Sequence, residues 1–269
     1  MNIRRRKVIF KILGGLIILY VAGGILLFFL QGYLLFHPAP LPLQHRFAFG
    51  EPFEDVNIPF EKSNLNIVEF DPALKRKGIV LFFHGNSENV EHYARYPSVF
   101  LNNGYSVWMI DYPGFGKTTG ERSEQILYRQ AKLMYQMAVH EIRPDSIIIY
   151  GKSIGTGIAS WLASVTKCRR LILETPYYSI DALARDYFPM YPVVPMTKYS
   201  FPVYKYLSHL HFPVTIFHGT SDEVVAYNHS LRLKKQNPSI ELITIKDGKH
   251  NDLFGFDIYQ EKMDSLLRD

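Results

Sequence analysis

The sequence predicts an α/β fold, a mostly parallel central sheet flanked by helices, behind one apolar helix at the N-terminus. Three observations carry that expectation. From Ile79 onward, short β-branched or aromatic runs alternate with longer helical stretches. One junction between such a run and a helix is a tight Gly-x-Ser-x-Gly turn, Gly151 to Gly155. Ahead of these elements, Ile12 to Leu30 carries no charge.

The chain has 269 residues, 47% of them hydrophobic and 14% aromatic, enough for a sizeable core. A net charge of +5 raises the question of nucleic acid, and the distribution of charge answers it. Arg4, Arg5, Arg6, Lys7 and Lys11 account for the whole excess, and the remaining 25 basic residues match 25 acidic ones. The body is neutral, so no basic groove and no nucleic-acid partner are expected. A single cysteine, Cys168, excludes a disulfide framework and a cysteine metal site.

Ile12 to Leu30 is long enough to cross a bilayer. A cleaved signal peptide would have a shorter apolar core and a small-x-small site, whereas Gln31 to Pro38 reads QGYLLFHP. The basic flank opposes a buried core helix. The expectation is an uncleaved anchor, residues 1–36, with its basic N-terminus in the cytoplasm and the remainder on the opposite side. The segment 37–56 follows as an extended linker, stiffened by prolines between Pro38 and Pro42.

The domain is expected over 57–269. Val56–Phe60 and Leu65–Phe70 read as edge strands, and Ile79–Phe83, Tyr105–Ile110, Ile147–Tyr150 and Leu171–Leu173 as buried ones. Helices are expected over Ser87–Leu101, closed by Asn102-Asn103-Gly104, then over Arg122–His140 and Gly155–Val165. Thr175 to Tyr206 breaks the alternation with five prolines and nine aromatic residues. We read it as a lid insertion, helical near Ile180–Tyr187, whose aromatic side chains line an apolar pocket. Order resumes with strand Pro213–Phe217, helix Tyr227–Lys235, strand Ile240–Ile245 and a closing helix over Phe256–Leu267.

The chemistry is expected at Ser153. A strand running into Gly-x-Ser-x-Gly and then a small-residue helix forms a nucleophile elbow, which lifts the serine to the carboxyl edge of the sheet. The following helix aims unpaired N–H groups at the same place. A nucleophilic serine needs a base, and the base an acid to fix its tautomer. Two later loops leave strand ends: 217–223 offers Asp222, and 247–252 offers His250. Glu174, Glu223 and Asp247 compete with Asp222, and His209, His211, His218 and His229 with His250. Two backbone donors must face the developing oxyanion. Ile154, after the serine, and Asn86, after the Gly85 turn, are the choices, with His84 structural.

The segments FFHGNSEN, IDYPGFGKTTGE, YGKSIGTG, FHGTSDEVV and GKHNDL, in this order, resemble the α/β-hydrolase superfamily. The resemblance extends over about Asn57 to Arg268. Within the superfamily it points to the membrane-anchored α/β-hydrolase-domain branch related to serine depalmitoylases and monoacylglycerol lipases. It implies Ser153, Asp222 and His250 as a triad and Asn86 and Ile154 as oxyanion donors, with no cofactor and no metal.

Other motifs fail on spacing. A phosphate-binding loop ending at Lys117-Thr118 or Lys152-Ser153 would need its first glycine at Asp111 or Ser146. Gly114 and Gly116 lack the third glycine of a dinucleotide turn, because Thr119 stands there. The expected function is therefore a membrane-anchored serine hydrolase acting on an ester or thioester with an apolar acyl chain. A peptidase of the same fold is the alternative within enzymes. A non-catalytic scaffold binding a lipid or a partner is the alternative outside them.

Overall fold

The apolar run is one helix, α1 (Ile3–Leu35), with no buried residue. Its 33 residues make a rod of about 50 Å, long and apolar enough to be a candidate membrane span. The computed structural model describes residues 3–73 and 75–268. Met1 and Asn2 of the basic tail and Asp269 of the expected domain therefore lie outside the described residues.

After α1 come β1 (His37–Pro38), β2 (Phe53–Phe60), β3 (Ser63–Phe70), β4 (Gly78–Phe83) and β5 (Ser87–Glu88). Next are α2 (Pro97–Leu101), β6 (Tyr105–Ile110), α3 (Glu124–Glu141), β7 (Ile147–Lys152), α4 (Gly155–Val165) and β8 (Arg170–Glu174). The chain closes with α5 (Ile180–Tyr187), α6 (Val203–Leu207), β9 (Val214–Gly219), α7 (Asn228–Gln236), β10 (Glu241–Ile245) and α8 (Asp257–Arg268).

Eight strands form one sheet in the order β10-β9-β8-β7-β4-β6-β3-β2. The pairs from β10 to β6 are parallel, and β3 and β2 add an antiparallel edge. Strand alternation divides the interior. Ile79, Leu81, Phe83, Ile147 and Ile149 join one apolar cluster, whereas Val80, Phe82, Ile148 and Tyr150 join a second on the opposite face. Helices α3 and α4 cover the first face, and α2 and α8 the second. Because β6 and β7 flank β4 on opposite sides, the loops after β4 and β7 border a crevice at the carboxyl edge of the sheet, where ligands of such sheets bind.

The stretch Ser87–Leu101 is not the single helix expected. Its start is β5, which pairs in parallel with β1. Asn89 then caps a 3-10 turn, Val90–Tyr93, and α2 begins only at Pro97. A proline has no N–H to offer an earlier carbonyl, so a helix starts there and does not run through it. Gly104 closes this region as expected, in the left-handed conformation at φ +86°. The segment after α1 is extended but tightly held. His37 N–H donates to Asn86 O at 2.8 Å, Ala39 N–H to Glu88 O at 3.0 Å and Leu41 N–H to Gly116 O at 2.7 Å. Phe36 and Phe47 are buried.

Candidate active site

Ser153 stands at the turn between β7 and α4 with φ +50°, in the left-handed region. The turn can close because its flanking glycines have no side chain. A Cβ on Gly155 would lie 2.1 Å from Phe83 O, and one on Gly151 2.7 Å from the Gly155 carbonyl oxygen. That crowding explains the Gly-x-Ser-x-Gly spacing and leaves Ser153 9% exposed at the floor of a cavity.

The loops after β9 and β10 bring Asp222 and His250 to the same place. His250 Nε2 lies 2.9 Å from Ser153 Oγ, and His250 Nδ1 2.8 Å from Asp222 Oδ2. With the Nδ1 proton donated to Asp222, Nε2 is the acceptor for the serine hydroxyl. Asp222 Oδ1 accepts the N–H groups of Val224 and Val225 at 2.9 and 2.8 Å. Burial acts to raise the Asp222 pKa, but hydrogen bonds from His218, His250 and the Val225 N–H outweigh it and hold the carboxyl below its ordinary range. The carboxylate is thus charged and aimed at the imidazole. A base linked to an acid on one side and a hydroxyl on the other can deprotonate that hydroxyl as it attacks a carbonyl.

Asn86 and Ile154 line the same cavity as Ser153. Among the described residues, neither backbone N–H is engaged in a hydrogen bond. His84 is fully buried and stacks on Tyr112 with ring centroids 4.2 Å apart. Its Nε2 lies 3.3 Å from Asp111 Oδ1, a structural placement away from the serine.

Of the competing residues, Glu174, His229 and His218 have partners other than Ser153 and His250. Glu174, at the end of β8, meets Lys152 at 2.5 Å and Tyr96 and Tyr259 at 3.1 and 3.0 Å, and also accepts from Tyr150. Burial would raise its pKa, but Lys152 and these hydroxyls lower it. It is fully buried and tied to side chains. His229 pairs with Asp186 at 2.7 Å. His218 meets Asp222 Oδ2 at 3.2 Å and Val225 O at 2.8 Å through Nε2, and its Nδ1 lies 2.6 Å from Ser230 Oγ, so its ring nitrogens are engaged with groups other than Ser153.

Sequence reasoning missed two partners of this centre. Lys152, inside the serine pentapeptide, bonds Glu174 and donates to His250 O at 3.1 Å. Its signal was the parallel register of β7 and β8, which sets Lys152 opposite Glu174. The second is α1 itself: Gln31, Leu34 and Leu35 form part of the cavity wall. The cavity is about 390 Å³ and almost wholly apolar. Of the lid aromatics, Tyr177, Tyr187 and Phe188 line it, as expected of the insertion. Tyr199 and Phe201 do not; they pack into the core, where Tyr199 meets Phe36 at 5.2 Å. Tyr191 stacks on Tyr20 of α1.

Known proteins resemble this chain in three ways. A family profile described as serine aminopeptidase, S33, matches residues 75–205, which include Ser153 but stop short of Asp222 and His250. Over 194 residues, 70% of the chain, it is 29% identical to alpha/beta hydrolase domain-containing protein 17C of Xenopus tropicalis and of Homo sapiens. The aligned part spans only 61% and 57% of those two proteins. An esterase of Pyrococcus furiosus superposes with a TM-score of 0.64 at 20% identity, covering 86% of this chain and 98% of that one. A soluble variant of monoglyceride lipase from Saccharomyces cerevisiae, in complex with a substrate analog, gives 0.64 at 17% identity, with 85% and 97% covered. At such identities these two structures speak to the fold.

Proposed function

This chain belongs to the α/β-hydrolase superfamily, and from that premise we propose that it is a membrane-anchored serine hydrolase that cleaves an ester or thioester of an apolar acyl chain. One observation carries the proposal: Asp222, His250 and Ser153 form a continuous hydrogen-bonded row that ends at Ser153, which lines a largely apolar cavity. Ser153 Oγ attacks the acyl carbonyl while His250 Nε2 takes its proton, and Asp222 holds the ring and stabilises the imidazolium. The N–H groups of Ile154 and Asn86 receive the oxyanion. His250 then protonates the leaving alcohol or thiol. A water activated by the same imidazole releases the acyl group from Ser153.

Residues 1–36 serve as basic tail and anchor and 37–52 as the connecting segment; the hydrolase domain starts with β2 at Phe53, four residues before the expected start at 57, and 175–206 is its lid. The five basic residues ahead of the apolar run favour a cytoplasmic N-terminus and a domain across the membrane.

A peptidase reading is favoured by the description of the matching family. The cavity argues against it. Among the described residues, no Asp, Glu, Lys or Arg lines it, so a charged peptide terminus finds no partner there. The test is covalent labelling of the full chain in detergent by a fluorophosphonate, wild type against Ser153→Ala. Labelling lost in the variant is expected. A folded wild type that takes no label would sink the proposal.

A further inference from the structure

The apolar cavity at Ser153 continues past the lid. Gln31, Leu34, Ala184, Phe188 and Thr197 line both it and a narrow space of about 70 Å³. That space shares Phe28, Tyr191 and Met196 with a groove of about 300 Å³ reaching Tyr20 on α1. The three are neighbours along α1, each sharing wall residues with the next. The α1 residues along them, among them Tyr20, Gly24, Phe28, Gln31 and Leu35, recur at three- to four-residue steps on one face of the helix. From Gln31 back to Tyr20 is about 16 Å, and from Gln31 back to Lys11 about 30 Å, the thickness of a bilayer's hydrocarbon.

The opposite wall is Phe188–Met196, which has no charged residue and is docked on that helix face. The Tyr191 ring stacks on Tyr20 with centroids 4.7 Å apart. It lies so close to Gly23 and Gly24 that a Cβ there would come within 2.4 and 3.2 Å of it. Tyr20 Oη donates to Met190 O at 2.8 Å, and Gln31 Nε2 donates to Met196 O at 3.0 Å. Met190 and Val194 are exposed. Each unsatisfied backbone polar group is costly in hydrocarbon, so a non-helical segment with few free donors is cheaper to place there. Here Pro189, Pro192 and Pro195 remove three donors, and four of the six remaining N–H groups bond within the segment or to α5. Gln31 and Lys198 mark the polar end: Lys198 N–H donates to Gln31 Oε1 at 2.6 Å.

We propose that Phe188–Met196 lies in hydrocarbon beside α1, in the leaflet remote from the basic tail, and that the acyl chain of a lipid ester reaches Ser153 laterally from that leaflet along the α1 face. Such a chain keeps the orientation it has in the leaflet, its carbonyl near the interface at Ser153 and its methyl end toward Tyr20. The inference rests on the hydrolase reading above and on α1 as a membrane span.

The test places single tryptophans in the full chain, in vesicles of phosphatidylcholine brominated on the acyl chains. Val194→Trp is expected to be quenched beyond the wild-type background, as is Leu16→Trp, an exposed position of α1 one turn before Tyr20. Quenching at Leu16→Trp alone overturns the inference and leaves the anchor standing; quenching at neither overturns both. For the acyl path, Ala184→Phe is expected to lower the ratio of palmitoyl to butyryl ester turnover about tenfold. An unchanged ratio overturns the path, and Ala184→Leu asks the same question should the larger side chain prevent folding. A folded wild type that takes no fluorophosphonate label would sink the hydrolase reading without touching the quenching result.

Discussion

Lys152 Nζ donates to the backbone carbonyl of His250 at 3.1 Å while its ion pair with Glu174 stays buried. The residue before Ser153 therefore grips the backbone of the histidine that Ser153 faces. Removing one side of the pair strands a buried charge. Lys152→Met and Glu174→Gln are each expected to cost about 3–5 kcal/mol, read as a fall in Tm by circular dichroism in detergent. The double variant Lys152→Met/Glu174→Gln should lose less than the two single losses added, and strict additivity would count against coupling.

Glu174 also sets an acid limb of stability. Its folded pKa is lowered, chiefly by Lys152 against the opposing effect of burial. Its contribution is thus fully present above the ordinary glutamate value and is lost as pH falls through the lower folded value. Tm measured from about pH 7 down to pH 3 should decline less steeply in Glu174→Gln than in wild type, from a lower starting value. Parallel curves would contradict the shift.

Asp222→Asn tests the acid. Asparagine keeps the volume but offers His250 the wrong partner, so kcat on a chromogenic ester should fall by about 10⁴-fold with the fold retained. A loss under tenfold would count against Asp222 as the residue that orients His250.

The serine turn stores strain that can be measured. Ser153 sits at φ +50°, a conformation that costs a residue with a side chain about 1–2 kcal/mol. Ser153→Gly should be more stable than Ser153→Ala, by about 1 kcal/mol, and both should be inactive. Equal denaturation midpoints would argue against strain.

Gly155→Ala forces a Cβ to within 2.1 Å of Phe83 O. Neither backbone can move without shifting the loop that carries Asn86. The expected result is a loss of fluorophosphonate labelling with a Tm drop, whereas Gly32→Ala, where a Cβ meets nothing within 4 Å, should be neutral for the fold.

Much of this was legible in the chain because it is local. The continuous apolar runs at Ile79–Phe83 and Ile147–Tyr150 mark buried strands, and Gly151 and Gly155 mark the turn from the second into α4. Each needs only neighbours in sequence. What was not legible depends on long-range pairing. The helix expected over Ser87–Leu101 gives way to β5 because His37–Pro38, far away in the chain, pairs with it. Periodicity cannot report a strand of two residues. The lid aromatics divide between cavity, core and α1 according to which partner is near, and aromatic content carries no such direction. Glu174 and Asp222 are both carboxylates at strand ends; only the Lys152 register and the His250 loop separate them.

Phe36 is 2% exposed and contacts Phe115 and Tyr199, and the next residue bonds to Asn86. A protease cutting just beyond Phe36 would therefore shed a damaged protein: one cavity wall missing, an aromatic plug withdrawn and the strand beside the oxyanion loop frayed. For the anchored enzyme proposed above, cleavage there would not release an intact hydrolase domain, and a soluble form for crystallisation would need the last turns of α1 kept and their outward face made polar.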